Sequence, residues 1–247
     1  MANFRTHLMG AAAASGLAAI GVAMTGLATN EAVVGFFSLG VMGGLLPDID
    51  SDNSIPIRMA FDVVAVIAGF MAVFAFADRY SLVELFIIWI FCYLGIRYAV
   101  FYVFTALTVH RGVIHSIPAA AFFGLMATAL SHQVFGGSPV TAWICGVFVA
   151  FGFIVHLLLD EFYSVDLLGQ QLKSSFGTAF NLGSFNYPFA TAILYASVVA
   201  LYLACPPPDA FLKVIFSAHT YGPVADRLVP SGNWFHGLLD ALQPPPI

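Results

Sequence analysis

The amino-acid sequence predicts an all-α, polytopic integral membrane protein. Of its 247 residues, 60% are hydrophobic and only 9% are charged, whereas a soluble domain is about 25% charged. A folded chain with so few charges would expose large apolar patches to water and aggregate. Each membrane helix needs roughly 20 apolar residues, so the length suits a single domain with about six or seven crossings. The net charge of −5 leaves no basic surface for nucleic acid.

Seven apolar segments follow one another along the chain, with turn-forming residues between them. The segments are 8–28, 31–46, 57–77, 81–107, 116–135, 139–159 and 187–205. The second segment is short for a span. The fourth is long and carries Glu84, which we expect near an interface, and Arg97, which we expect at depth in an ion pair or reaching toward the interface.

Residues 1–205 are therefore predicted to form one transmembrane domain. The tail, 206–247, opens with Pro206-Pro207-Pro208 and holds only short apolar pieces broken by Pro and Gly. Such a tail could lie on the membrane surface. The first segment is predicted to be a membrane helix and not a cleaved signal, because its apolar run exceeds the usual length of about 7–15 residues.

Three polar clusters interrupt the apolar sequence. They are Pro47-Asp48-Ile49-Asp50, His110-Arg111-Gly112-Val113-Ile114-His115 and His156-Leu157-Leu158-Leu159-Asp160, while His7 opens the first segment. Taken alone, each cluster has a purely structural explanation. The carboxylates could cap a helix or form an Asx turn, and the histidines could be interfacial or bonded to a backbone carbonyl group.

The alternation of crossings favours a shared site. If the chain crosses the membrane at every segment, its start and the ends of the second, fourth and sixth segments lie on one side. Those four places contain every candidate ligand: His7, Asp48, Asp50, His110, His115, His156 and Asp160. The turns on the other side contain no histidine. This convergence requires that segment 31–46 is a true crossing.

The spacing within each cluster suits metal coordination. His156 and Asp160 are four residues apart, so they share one face of a helix. Asp48 and Asp50 alternate after a proline, which suits an extended turn that presents both carboxylates.

His110 and His115 bracket Gly112, where one helix should end before another begins at Ser116 with Pro118 in its first turn. Histidine together with carboxylate suits Zn²⁺, or else Mn²⁺, better than Ca²⁺. One catalytic zinc needs about three protein ligands. The number of candidates therefore predicts about two or three divalent ions at one membrane interface, an arrangement used for phosphoester hydrolysis.

The same runs resemble the motifs of the YdjM-like family of membrane-bound metal-dependent hydrolases. The runs GGLLPDIDSDNS, HRGVIHS and HLLLDEF resemble the family's Leu-Pro-Asp-Ile-Asp, His-Arg-Gly-x-Thr-His-Ser and later His-x-x-x-Asp motifs. The family also has a histidine near the N-terminus, where this chain has His7. The resemblance covers roughly the first 170 residues and keeps motif order and spacing.

The resemblance implies a phosphoester-type hydrolase, because the family is thought to be distantly similar to zinc-dependent phospholipase C and P1-type nucleases, which use several zinc ions. Two departures affect this implication. Ile114 stands where the family has Thr, which removes a hydroxyl group but no ligand. After Asp160 the family's Thr-Pro-x-Gly-Val stretch is replaced, so the substrate side is less well defined than the metal side.

We therefore expect a metal-dependent hydrolase acting on a phosphoester, such as a phospholipid or a lipid-linked phosphate. A metal lowers the pKa of its bound water to about 7, and Asp50 could accept the proton. Arg111 could hold a substrate phosphate through paired hydrogen bonds, although an Asp or a lipid phosphate would suit it equally. Membrane lipid and this substrate are the expected partners, and nothing in the sequence predicts an oligomeric state.

Two other functions remain open, a structural metal site or scaffold in a membrane complex and a metal-ion transporter. A transporter should hold its site near the midplane between broken helices, whereas these clusters lie at segment ends. Arg5, Arg58, Arg111 and Lys173 fall on the side of the clusters. Their small excess predicts an inner (plasma) membrane protein with its site on the cytoplasmic face.

Overall fold

A computed structural model describes residues 3–50, 79–100, 111–166, 171–172, 181–183 and 187–228, with single positions and pairs between 62 and 77. The helices are α1 (Phe4–Thr25), α2 (Asn30–Gly43), α3 (Leu82–Leu94), α4 (Arg111–Ile114), α5 (Ile117–Gln133), α6 (Pro139–Ser164), α7 (Pro188–Ala204), α8 (Asp209–Ile215) and α9 (Ala218–Arg227). A 3-10 turn, Leu46–Asp50, follows α2, and a π-helical turn, Gly95–Val100, follows α3.

The described chain is helical, as predicted, with one small exception. Strands β1 (Val165–Asp166) and β2 (Gln171–Leu172) form a short antiparallel pair just after α6. The sequence gives no strand signal there, because two residues are too few to establish an alternating pattern.

Side chains at the helix ends fix the turn between α1 and α2. The side chain of Asn3 accepts a hydrogen bond from the amide of Thr6 at the start of α1, and Thr29 accepts one from Ala32 at the start of α2. α1 ends at Gly26, whose φ of 71° lies in the left-handed region that glycine adopts readily. The two helices therefore reverse direction across four residues and lie side by side.

Helices α1, α2 and α6 pack closely because small residues face one another between them. A Cβ at Gly40 would collide with the side chain of Ser15 in α1. A Cβ at Gly43 would collide with the backbone of Val149, and one at Gly152 with the backbone of Gly40. Small residues allow this backbone contact between membrane helices, where packing replaces the hydrophobic effect as the driving force.

Helix α6 is the centre of the bundle and contacts α1, α2, α5 and α8. Toward α5 its Phe153 stacks on Phe123 with ring centroids 5.8 Å apart. Toward α8 the rings of Trp143 and Phe211 stack at 6.1 Å. α7 packs on α5 and α9 on α1, so the two helices of the tail, α8 and α9, both contact the bundle.

Fewer helices than predicted are long and apolar enough to cross a membrane. Within the described residues they are Phe4–Thr25, Asn30–Asp48 and Pro139–Tyr163. A fourth span results if Pro188–Ala204 and Asp209–Ile215, which meet at 88°, are counted as one broken span. The prediction of six or seven crossings therefore exceeds what this part of the chain contains.

Two causes account for the difference. Predicted segments 116–135 and 187–205 form the 17-residue helices α5 and α7, which are roughly 25 Å long against a hydrocarbon core of about 30 Å. Predicted segment 57–77, and segment 81–107 beyond residue 100, lie mostly outside the described residues.

The two charged residues of the fourth segment both have partners. Glu84 accepts hydrogen bonds from the backbone amide and the hydroxyl of Ser81 at the start of α3. Arg97 forms an ion pair with Asp62, which also accepts a hydrogen bond from the hydroxyl of Tyr93. Arg97 thus belongs to an ion pair, one of the two roles that the sequence left open for it.

The close contact of α2 with α6 makes a first prediction. We expect Gly152→Ala to lower the melting temperature in detergent, because its methyl group meets the backbone of Gly40 and overpacking costs about 1–3 kcal/mol. Gly35→Ala, on an exposed face of α2 with no atom within 4 Å of its Cβ, is the matched control and should leave the melting temperature unchanged or slightly higher. Equal melting temperatures for the two variants would contradict the close contact.

Candidate metal centre

Helix α6 presents His156 and Asp160 on one face near its C-terminal end. Four residues separate them, and His156 Nε2 lies 3.6 Å from an oxygen of Asp160. The side chains are 0% and 6% exposed, so two polar groups are buried one turn apart. Their burial requires partners, since an unpaired buried carboxylate costs several kcal/mol or more.

The first partner is His7, in the first turn of α1. Its ring stacks on the ring of His156, with centroids 3.6 Å apart and planes within 10°. Its Nε2 lies 3.3 Å from Oδ1 of Asp160. The antiparallel packing of α1 on α6 brings the start of one helix to the end of the other, so a residue near the N-terminus reaches residue 160.

The second partner, Asp48, comes from the 3-10 turn after α2. Its Oδ1 lies 3.6 Å from Nε2 of His156, and its side chain is 39% exposed. Pro47, beside it in the same turn, is fully buried. Asp48 therefore forms the open side of the cluster, while the His7 side is closed.

The third partner, His115, lies in the short link between α4 and α5. Ser116 makes this link, because its hydroxyl donates to the carbonyl of Val113 and accepts from the amide of Ala119 at the start of α5. Nε2 of His115 lies 3.9 Å from Oδ2 of Asp160, and its ring meets that of His156 edge-on at 5.7 Å. The α4–α5 link thus closes a third side of the cluster.

Two groups of three side chains have ligand atoms close enough to share an ion. They are His7, His156 and Asp160, and Asp48, His115 and His156, each with ligand atoms within 4.8 Å of one another. Two ligand atoms about 2.1 Å from one tetrahedral zinc lie roughly 3.4 Å apart. The separations of 3.3 to 3.9 Å in the cluster are close to that value.

The hydrogen bonding of the buried histidines also fits a metal. Within the described part of the chain, the buried rings of His7 and His156 have three nitrogens that make no hydrogen bond: Nδ1 and Nε2 of His7 and Nε2 of His156. A buried polar atom without a partner costs about 1–3 kcal/mol. A divalent ion would satisfy one ring nitrogen of His7 and the Nε2 of His156, and it would neutralise the buried carboxylate.

Nδ1 of His156 is already engaged and fixes the ring. It donates to the carbonyl oxygen of Gly44 over 2.8 Å, which leaves Nε2 as the only ring nitrogen with a free lone pair. Such an outer hydrogen bond orients a metal-binding histidine. Because Nε2 can bind one ion, the two ligand groups cannot both be filled through His156.

The structure brings together five of the seven predicted ligands: His7, Asp48, His115, His156 and Asp160. His110 and the side chains of Asp50 and Arg111 lie outside the described residues. Sequence reasoning missed Gly44, which acts through its backbone carbonyl and so has no side-chain signal. The Gly-Gly pair just before Leu-Pro-Asp is the one sign of it in the sequence.

Fold and site together define a helical membrane protein with a buried histidine and aspartate cluster at one end of its bundle. The chain belongs to the YdjM family, whose model, described as YdjM inner membrane protein, matches residues 1–229. The family is one of inner membrane proteins, which agrees with the membrane prediction. No curated protein and no solved structure matches the chain, and the expected distant similarity to phospholipase C and P1-type nucleases is not shown by the family match.

The shared position of His156 makes a second prediction. We expect purified protein to carry divalent transition metal, foremost zinc, and His156→Ala to lose most of it, because both ligand groups use this side chain. His132→Ala is the control, since the Nδ1 of His132 bonds to the carbonyl of Gly137 in the turn after α5. Elemental analysis of chelator-free preparations measures both, and equal metal in the two variants would refute the ligand assignment.

Proposed function

We propose that this protein is a membrane-bound, metal-dependent hydrolase of phosphoesters whose active centre is the cluster around His156. The proposal rests on one observation: the solvent exposure of the side chains differs from one side of the cluster to the other. His7, His156 and Asp160 are buried, whereas the Asp48 side chain is 39% exposed. Catalytic metal sites keep one position open to water and substrate, whereas structural sites are closed.

Each described residue has a role in this proposal. His7, His156 and Asp160 hold metal on the closed side, and His115 and Asp48 hold it on the open side. Bound divalent metal, zinc in the first place and manganese in the second, would supply Lewis-acid stabilisation of phosphoryl charge and acidify a water molecule. Gly44 keeps the His156 ring in place through its carbonyl group.

Two further residues complete the proposed chemistry. Asp50, two positions after Asp48 in the same 3-10 turn, accepts the proton of the attacking water. Arg111 opens α4, which packs against that turn, and its guanidinium binds the substrate phosphate through paired hydrogen bonds. In this proposal the base and the phosphate-binding group belong to the 3-10 turn and α4, the elements next to the exposed Asp48.

The proposal also includes a cytoplasmic site and six or seven crossings, which would require the 17-residue helices α5 and α7 and the segments outside the described residues to span the membrane as well. His7 lies in the first turn of α1 and Asp160 in the last two turns of α6, so the centre lies at helix ends and close to one interface. A lipid-borne phosphoester presents its phosphate at that depth. A transporter site near the midplane is disfavoured for the same reason.

A structural metal site is the second candidate, because the ligands come from α1, the 3-10 turn, the α4–α5 link and α6. An ion shared by these elements would cross-link the bundle. The exposed Asp48 favours catalysis, and one variant separates the two functions.

The third prediction concerns Asp160→Asn, which keeps the shape of the side chain and removes its charge. For a hydrolase, phosphoesterase activity should fall by at least about 100-fold, since metal is lost or its water mispositioned. For a structural site, the melting temperature should fall, and neither wild type nor the variant should show phosphoesterase activity. Asp209→Asn, at the exposed start of α8, is the control and should change neither.

Hydrolysis of a panel of phosphoesters, melting temperature in detergent and metal flux into vesicles are measured on the same preparations. If wild-type protein hydrolyses nothing in the panel with zinc or manganese supplied, the enzyme proposal is refuted. Wild-type activity in Asp160→Asn would leave an enzyme whose centre lies elsewhere.

The fourth prediction concerns sidedness. With the natural cysteines replaced, we expect Ser138→Cys to react with a membrane-impermeant thiol reagent on intact cells and Asn3→Cys to be protected until the cells are opened. Asn3 precedes α1 at the end of the bundle that holds the cluster, while Ser138 precedes α6 at the opposite end, and both are exposed. Labelling in the reverse order would place the centre on the outer face, and equal labelling would refute the topology.

A further inference from the structure

The backbone around Gly44 lies one helical turn from both stacked histidines. Ala11 follows His7 by four residues on α1, and Gly152 precedes His156 by four on α6. A Cβ on Gly44 would collide with the methyl group of Ala11 and lie 3.3 Å from the carbonyl oxygen of Gly152. Gly44 therefore fills the space between α1 and α6 one turn below the cluster.

The same residue also bonds to the cluster. Its carbonyl oxygen accepts the Nδ1–H of His156 at 2.8 Å, and this ring in turn stacks on His7 at 3.6 Å. Gly44 therefore positions both rings. It holds His156 by the hydrogen bond, and it sets the position of His7 through its contact with α1. Ala11 is 0% exposed, so this contact is fully buried.

We infer that the Ala11–Gly44 contact is a positioning device for the metal centre, which sets the register of α1 and keeps His156 in the tautomer that presents Nε2. Glycine is required at 44 for space and not for backbone conformation, because its φ of −70° and ψ of −12° suit any residue. An added methyl group must push α1 away or tilt the Gly44 peptide. Either movement separates His7 from His156 or weakens the hydrogen bond to Nδ1.

This inference rests on the proposed metal centre, and the fifth prediction tests it with a compensating pair. We expect Gly44→Ala to raise the dissociation constant for zinc about 10–100-fold, the usual effect of losing an outer hydrogen bond to a metal ligand. Gly44→Ala combined with Ala11→Gly removes the colliding methyl group and should restore most of the affinity. Zinc affinity is measured on the full chain in detergent by competition with a chromophoric chelator.

A second glycine separates positioning from general packing. Gly124→Ala brings a methyl group within 3.0 Å of α6 atoms at the α5–α6 contact, away from Ala11 and Gly44. It should lower the melting temperature of metal-free protein and leave zinc affinity unchanged. Wild-type zinc affinity in Gly44→Ala, or a double variant that stays as weak as the single one, would overturn the inference.

The tautomer of His156 gives a readout that needs neither metal nor activity. In protein labelled with ¹⁵N-histidine, with the signal assigned by its loss in His156→Gln, wild type should show a protonated Nδ1 and an unprotonated Nε2. Gly44→Ala should lose this pattern and the double variant regain it; a pattern unchanged in Gly44→Ala would overturn the inference even if wild type bound no zinc. If the zinc affinities follow the expected order but no phosphoester is hydrolysed, the positioning role of Gly44 is supported and the hydrolase proposal is refuted.

Discussion

The close contact of α2 and the residue after it with α1 and α6, at Gly40, Gly43 and Gly44, is the constraint on which the proposed metal centre depends. At these positions the backbone of α2 touches Ser15 in α1 and the backbones of Val149 and Gly152 in α6. Side chains of ordinary size would hold helix axes about 8–10 Å apart. The close approach brings the turn after α2 within 3.6 Å of His156 and lets one backbone carbonyl group reach its ring.

The composition of the cluster follows from its burial. Asp160 is 6% exposed and is approached by His7 at Oδ1 and by His115 and His156 at Oδ2. Solvent cannot stabilise a carboxylate in this position, so its charge has to be balanced by the side chains or ions around it. The rings of His7 and His156 stack at 3.6 Å, a separation at which two imidazolium cations would repel each other. A divalent cation held by neutral rings, as proposed, would balance the charge without this repulsion.

The sequence predicts the elements and spacings of this centre better than its membrane architecture. The helical spacing of His156 and Asp160 and the cap at Ser116 depend on residues close together in the chain, and both are present in the structure. The extended turn predicted after Pro47 is wrong, because Leu46–Asp50 form a 3-10 turn. The helix end predicted at Gly112 is also wrong, because Gly112 lies within α4, which spans Arg111–Ile114. The number of crossings depends on where helices stop, and α5 and α7 are shorter than the apolar runs that contain them. The role of Gly44 cannot be predicted from the sequence, because it depends on contacts with α1 and α6, which are distant from Gly44 in the chain.

The exposure gradient also restricts the direction from which a substrate can approach. His7 and His156 are closed off by α1 and α6, and His115 is 13% exposed beside the α4–α5 link. Among the described residues of the cluster the Asp48 side chain is the most exposed, on the side where the 3-10 turn and α4 lie against each other. The exposed side chain of Tyr163 follows Asp160 by three residues, and tyrosine is enriched at the level of lipid headgroups. An opening at that level would reach the phosphate of a lipid without taking it into the hydrocarbon core. Under the proposed function, the depth of the centre, more than any single ligand, therefore favours a membrane-borne phosphoester over a small soluble one.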